Sequence, residues 1–112
     1  MEPKVKLWVE KDGALALSSY RVRLLKHVAE TGSLAEAARR MGLSYRRAWG
    51  KIREIESNLG VQLVESEVGG PGGGNTRLTA QGEHVVEIYG QFEARAEADI
   101  RRRFAELFRE AG

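Results

Sequence analysis

Between Ala37 and Arg53 the sequence carries Arg39, Arg40, Arg46, Arg47, Lys51 and Arg53, and no aspartate or glutamate. Six cations with no counter-charge in their own stretch make a local positive field, and nucleic-acid phosphates are the commonest partner of such a field. Arginine can do more than neutralise. Its planar guanidinium donates to N7 and O6 of a guanine together. The chemistry indicated is phosphate neutralisation joined to base reading. The plain alternative is a solvated helix face, which is what most charge runs are. No catalytic set competes with it. The absence of cysteine excludes disulfides, thiolate catalysis and Cys-based zinc sites. His27 has Glu30 within helical reach, and His84 sits beside Glu83 and Glu87, but the two histidines lie far apart and no metal ligation is expected at either. Glu54, Glu56 and Glu83 have no evident base, nucleophile or partner, so no enzymatic activity and no cofactor are expected.

The elements that must position these cations follow from spacing. Ser33-Leu34-Ala35-Glu36 has the form of a capping box, and Leu34, Ala37, Ala38 and Met41 give a short helix over 33–41. Gly42 breaks it. Ser44 caps the next helix, 44–59, in which Ala48, Ile52, Ile55 and Leu59 recur at i, i+4, i+7 and i+11, and Gly60 ends it. Two short helices about a glycine turn form a helix-turn-helix unit. With the apolar stripe inward, the opposite face shows Tyr45, Arg46, Arg47, Gly50 and Lys51. The first turns of such a helix meet base edges in the major groove, so Arg46 and Arg47 are the base readers. Tyr45 reaches a base or a phosphate. Gly50 allows close approach. Ser44 is either a cap alone or also a phosphate contact at a helix N-terminus. Lys51, Arg53, Arg39 and Arg40 are assigned to phosphates. Trp49 is either buried against the preceding helix or turned to the groove, burial being the commoner state.

The flanks complete the fold. Val5, Leu7 and Val9 alternate with polar neighbours, Asp12-Gly13 suits a tight turn, and Leu15 and Leu17 return, giving a β-hairpin over 4–17. Ser18 or Ser19 caps a helix over 19–31 (Val22, Leu25, Val28, Ala29), closed by Gly32. Val61, Leu63 and Val64, the run Gly69-Gly70-Pro71-Gly72-Gly73-Gly74-Asn75, and Thr76-Arg77-Leu78 form a two-stranded wing over 61–78. Its tip reads as a minor-groove contact, a phosphate cradle or a plain turn. The cradle lacks the Gly-Lys-Ser/Thr ending of a nucleotide loop. Arg77 is the one cation beside the tip. Thr79 caps a last helix over 79–110, whose apolar positions Tyr89, Phe92, Ala96, Ile100, Phe104, Leu107 and Phe108 outrun anything a domain of this size can cover. Its distal half needs a partner, and a homodimer through these residues is expected, with help from the hairpin. The fold class is mainly α with small β: one winged helix-turn-helix domain over 1–112, with an N-terminal β-hairpin and a long C-terminal dimerisation helix.

Bulk properties agree. One hundred and twelve residues, 42% apolar and 30% charged, describe one globular domain. No run of eighteen apolar residues exists, so no transmembrane helix is expected, and Met1-Glu2-Pro3-Lys4 leads into no signal core. A cytoplasmic protein is expected. Net charge is only +2, so a basic surface must come from arrangement.

Several pieces together resemble a known family. Tyr20 through Ala29, Thr31-Gly32-Ser33-Leu34, Gly42-Leu43-Ser44-Tyr45-Arg46-Arg47-Ala48-Trp49, Leu63-Val64-Glu65, the glycine run and Leu78-Thr79-Ala80-Gln81-Gly82 are similar to the N-terminal DNA-binding domain of ModE-type molybdate-responsive regulators, which share a LysR-like winged helix-turn-helix. The resemblance covers nearly the whole chain. It implies a transcription regulator that dimerises and reads a palindromic operator in double-stranded DNA. It places Ser44, Tyr45, Arg46 and Arg47 at the start of the recognition helix and the glycine run at the wing. Family members that sense molybdate carry a further domain, so no molybdate pocket carries over to these residues. The chain is a stand-alone regulator, a member without sensing, or a fragment, and the first is expected. The competing expectations are a winged-helix protein–protein or architectural module that binds DNA without sequence preference, and an enzyme or oxyanion sensor resting on the glycine loop alone.

Overall fold

The computed structural model describes residues 1–67 and 75–109. In chain order the elements are β1 (Trp8–Lys11), β2 (Ala14–Ser18), α1 (Ser19–Thr31), α2 (Leu34–Arg40), α3 (Tyr45–Leu59), β3 (Val64–Glu67), β4 (Asn75–Leu78) and α4 (Ala80–Phe108). This is a winged helix-turn-helix with a hairpin before it and a long helix after it. The glycine-rich tip, Gly69–Gly74, and the last residue expected in the final helix, Glu110, lie outside the described residues.

Side-chain oxygens start every helix. Ser18, Ser33, Ser44 and Thr79 accept from the N–H groups of Arg21, Glu36, Arg47 and Gly82, groups that a first turn leaves without intrahelical partners. Gly32 and Gly60 close α1 and α3 in the left-handed conformation, with φ of +68° and +72°. The capping box is only half formed. Ser33 caps, but the Glu36 carboxylate turns to Arg39, and the Ser33 N–H donates instead to Thr31 Oγ1 at 3.2 Å.

The hairpin is shorter at its start than the alternation suggests. Pairing begins at Trp8, and Val5 is exposed. Asp12 and Gly13 both have positive φ, as a two-residue type I′ turn requires. A register shift between Val9 and Glu10 breaks the expected alternation in β2, so Ala16 and Leu17 are both buried while Leu15 is half-buried. The wing is also trimmed. Val61 is exposed, and Leu63, wholly buried, precedes β3 and does not belong to it.

One core unites the elements. Val22, Leu24, Leu25 and Val28 of α1 meet Leu34, Ala37 and Ala38 of α2, Ala48, Ile52 and Ile55 of α3, and Leu63, Val64, Leu78 and Tyr89. Each of the larger aliphatic side chains contributes about 1.5–3 kcal/mol on burial. Arg21 lies inside this shell. It donates to Leu15 O at 3.0 Å and to Glu54 Oε1 at 2.9 Å, which ties β2 and α3 to α1. Glu56 accepts from the N–H groups of Leu63 and Val64 at 2.8 and 3.3 Å. Both glutamates, read from the sequence as partnerless, hold the fold.

The wing root and α4 are locked together. Thr79 N–H donates to Leu63 O at 2.9 Å, and Thr79 Oγ1 to Gln62 O at 2.6 Å. A Cβ on Gly82 would stand 2.2 Å from Leu63 O, so only glycine lets the helix pass this close. Beyond this point α4 runs on to Phe108, a length of about 43 Å for 29 residues.

Tyr89 does not belong to an open dimer face. It is buried in this chain's own core, and its hydroxyl donates to Leu7 O at 3.1 Å. The expectation of a partner there fails because the N-terminal segment covers it. That segment also reaches the distal half of α4, where Glu2–Val5 lie beside Glu97, Ile100 and Arg101. The remaining stripe is open: Phe92 is 49% exposed, Phe108 47% and Leu107 79%. Phe104 and Phe108 stack with centroids 4.5 Å apart.

Candidate nucleic-acid interface

The first two turns of α3 present Tyr45, Arg46, Arg47 and Gly50 to solvent, while Ala48, Ile52 and Ile55 hold the inner face. Ser44 acts as the cap. Arg46 and Arg47 form no ion pair among the described residues. Their guanidinium groups are free to donate, and they sit where an α-helix entering the major groove meets base edges. Gly50 has ordinary helical backbone, and the position its Cβ would take is open. Nothing among the described residues requires glycine there.

A ladder of side chains runs along α3 at four-residue steps. Trp49 Nε1 donates to Tyr45 Oη at 2.9 Å, and the Arg53 guanidinium lies over the Trp49 ring, 5.1 Å from its centroid. Trp49 is half-buried. Its ring packs against the core margin while its edge serves the outer face. Burial, the commoner of the two alternatives for this residue, therefore holds in part. The ladder fixes where the Tyr45 hydroxyl and the Arg53 cation stand. Lys51 is held in another way, with its ammonium 5.3 Å from the centroid of Tyr20 on α1.

The other expected contacts differ. Arg39 is hydrogen-bonded to Glu36, and Arg40 Nη1 meets Glu30 Oε2 of α1 at 3.1 Å. The stretch without acids is thus not a field without counter-charge, because the carboxylates come from one turn earlier and from a neighbouring helix. The hydrogen bond from Arg39 holds the Glu36 carboxyl below its ordinary range, with desolvation opposing and the charges of Arg39 and Arg40 assisting. Arg77 on β4 stands 3.4 Å from Glu65 and 4.0 Å from Glu67 across the wing. His27 Nδ1 lies 3.7 Å from Glu30 and has no hydrogen-bond partner among the described residues. The described residues contain no cluster of three or more His, Asp or Glu able to hold a metal.

The structure thus brings Tyr45, Arg46, Arg47, Gly50, Lys51 and Arg53 onto one helix, with Arg39 and Arg40 close by on α2 and Arg77 apart on the wing. Sequence reasoning missed Tyr20, which positions Lys51. It also missed Ile88, half exposed on α4, although Ile88, Phe92, Ala96, Ile100, Phe104 and Phe108 form an unbroken four-residue series.

Residues 20–83 match the family described as bacterial regulatory helix-turn-helix protein, lysR family. The DNA-binding transcriptional dual regulator ModE of Escherichia coli (strain K12) is 35% identical over 89 residues, covering 80% of this chain and 34% of that protein. The molybdenum-pterin-binding protein MopB of Rhodobacter capsulatus is 38% identical over 86 residues, 77% of this chain and 32% of its own length. The chain therefore spans about a third of the length of the curated relatives it matches. Among solved structures, the CbnR DNA-binding domain in complex with DNA superposes with a TM-score of 0.59 at 27% identity, covering 80% of this chain and 99% of that domain. With more than half of its residues inside the matched region, the chain belongs to the LysR family of bacterial regulatory helix-turn-helix proteins.

Proposed function

We propose that this protein is a sequence-specific, double-stranded DNA-binding transcriptional regulator that acts as a homodimer on a palindromic operator. The observation that carries the reading is the pair of exposed guanidinium groups, Arg46 and Arg47, on the first turn of α3, with no ion pair among the described residues. Arg46 and Arg47 read bases. Tyr45, Lys51, Arg53 and the Ser44 end of the helix hold phosphates, and Gly50 lets the backbone come close. Arg39, Arg40 and Arg77 give secondary phosphate contacts after leaving their carboxylate partners. The relatives' names and the DNA complex of the CbnR domain support the same reading. No enzymatic step and no cofactor belong to it. Among the described residues no helix is long and apolar enough to cross a membrane, and the place of action is the bacterial cytoplasm, where the DNA is.

The second copy packs on the apolar stripe of α4, through Ile88, Phe92, Ala96, Ile100, Phe104, Leu107 and Phe108, with the N-terminal segment alongside at Ile100. Light scattering at tens of micromolar is expected to give twice the chain mass of 12.5 kDa, and a single-chain mass would refute the dimer. The test of the whole proposal is selection of duplexes from a random pool. A two-fold symmetric motif with half-sites about one helical turn or a small multiple apart is expected. Binding with no motif, lost steeply as salt rises, would replace it with an architectural or protein-binding winged helix.

A further inference from the structure

We infer that the groove between the N-terminal hairpin and the α1–α3 pair is a second DNA contact, which holds the sugar–phosphate backbone flanking the bases read by α3. The inference rests on the function proposed above. The groove has a volume of about 620 Å³ and is walled by Lys6 and Trp8 of the hairpin arm, Tyr20 and Arg23 of α1, and Lys51 of α3. Lys6, Arg23 and Lys51 form no ion pair among the described residues, and no carboxylate is among the groove's lining residues. Arg21, also at the groove, is already satisfied by Glu54. Three unneutralised cations thus face one concave surface in a chain of net charge +2. Such a surface is complementary to a polyanion.

The aromatic rings fit the same occupant. Trp8 is 53% exposed, and its indole N–H donates to Glu10 Oε2 at 2.9 Å. That bond holds the edge of the ring and leaves its face available for packing against a deoxyribose. Tyr20 is 38% exposed and carries the Lys51 ammonium over its ring. The groove is also continuous with the helix proposed to enter the DNA. Lys51 lies one turn after Arg47 on α3, where residues four apart are neighbours on the helix surface. DNA carries one charge per about 1.7 Å of duplex axis, so a duplex engaged by Arg47 offers further phosphates beside Lys51. The hairpin then widens the footprint of each half-site without reading sequence.

The test uses the full chain and a duplex recovered by selection. The double variant Lys6→Ala/Arg23→Ala changes two exposed side chains and is expected to unfold at the same temperature as the parent. Its plot of log affinity against log salt is expected to lose about 1.8 from its slope, at about 0.9 per phosphate contact released. The same bases are still preferred, because backbone contacts carry no sequence information. Hydroxyl-radical protection is expected to shrink at the outer edge of each half-site. Trp8→Ala is expected to remove part of the same protection with little change in slope. An unchanged slope with an unchanged footprint in the double variant overturns the inference. So does capture of a polyglutamate peptide by the parent but not by the double variant, if DNA binding is the same in both; the groove is then a site for an acidic peptide. If the parent selects a motif that depends on Arg46 and Arg47 but is indifferent to Lys6 and Arg23, the groove inference alone fails. If the parent binds no duplex, both fail.

Discussion

On α2, Arg39 lies against Glu36 and Arg40 reaches across to Glu30, whereas on α3, seven positions later, Arg46 and Arg47 stand in solvent with no carboxylate partner among the described residues. The residue type and the helix-turn-helix are the same in both places, but the electrostatic situation is not. A paired arginine must leave its carboxylate before it can hold a phosphate. An exposed pair is weak and screened by solvent, so α2 remains usable, with its contribution reduced by the pairing. The α3 pair has nothing to give up. Counting cations along the chain therefore overstates the field of α2 relative to that of α3. Arg21 marks the opposite limit: its guanidinium is buried and satisfied by Glu54 and Leu15 O.

The largest expected effect tests that limit. Glu54→Ala leaves the Arg21 cation buried without its carboxylate and is expected to cost about 1.5–3 kcal/mol of stability, measured by urea unfolding. A loss below 0.5 kcal/mol, the ordinary range of surface changes, would mean that Arg21 finds water instead. Next come Arg46→Ala and Arg47→Ala, each expected to cost about 1–3 kcal/mol of operator affinity and to relax preference at one base pair. Arg39→Ala and Arg40→Ala are expected to weaken binding to all sequences by similar, smaller amounts. If the α2 variants alter base preference and the α3 variants do not, the comparison is reversed.

Gly50→Ala separates the two demands on α3. It is expected to raise stability by about 0.5–1 kcal/mol, because alanine is the better helix former and the site is open. It should at the same time lower DNA affinity, since a methyl group then stands on the approach face. Equal or tighter DNA binding would remove Gly50 from the interface. The smallest effect belongs to Glu36→Gln, which frees Arg39. The salt slope of DNA binding is expected to steepen by up to about 0.9, with little change in stability. Glu36 also sets a pH dependence. Its folded pKa lies below its unfolded one, so the contribution of the pair is present above the ordinary carboxylate range and is lost as pH falls through the folded pKa. Arg39 therefore stays neutralised at neutral pH, and an acid titration of DNA binding should show its release only below the usual glutamate range.

Local chemistry was legible in the sequence. Ser33, Ser44 and Thr79 announce helix starts because a hydroxyl one position before an apolar period has one nearby use, and Gly32 and Gly60 announce ends for the converse reason. The stripe Ala48, Ile52, Ile55 gave the outer face of α3 by subtraction. The contacts missed are those between segments distant in the chain. Nothing near Arg40 shows that Glu30 will stand beside it, and periodicity alone cannot show that Tyr89 is covered by Leu7, 82 residues away. Trp49 resisted assignment because its ring and its N–H serve different surfaces. The β2 register depends on a bulge that alternation does not reveal.

Because α4 is one continuous helix fixed at Gly82 to the wing root, it behaves as a shaft with a defined phase. Each residue advances it by about 100°. One residue inserted at Gly90, where the surroundings are open, turns every side chain from Phe92 to Phe108 by that angle relative to Arg46 and Arg47. The apolar face from Phe92 to Phe108 would survive intact in composition yet point elsewhere, out of line with Ile88. Two copies joined by it would hold their reading helices at a different angular offset and so demand a different separation between half-sites on the DNA.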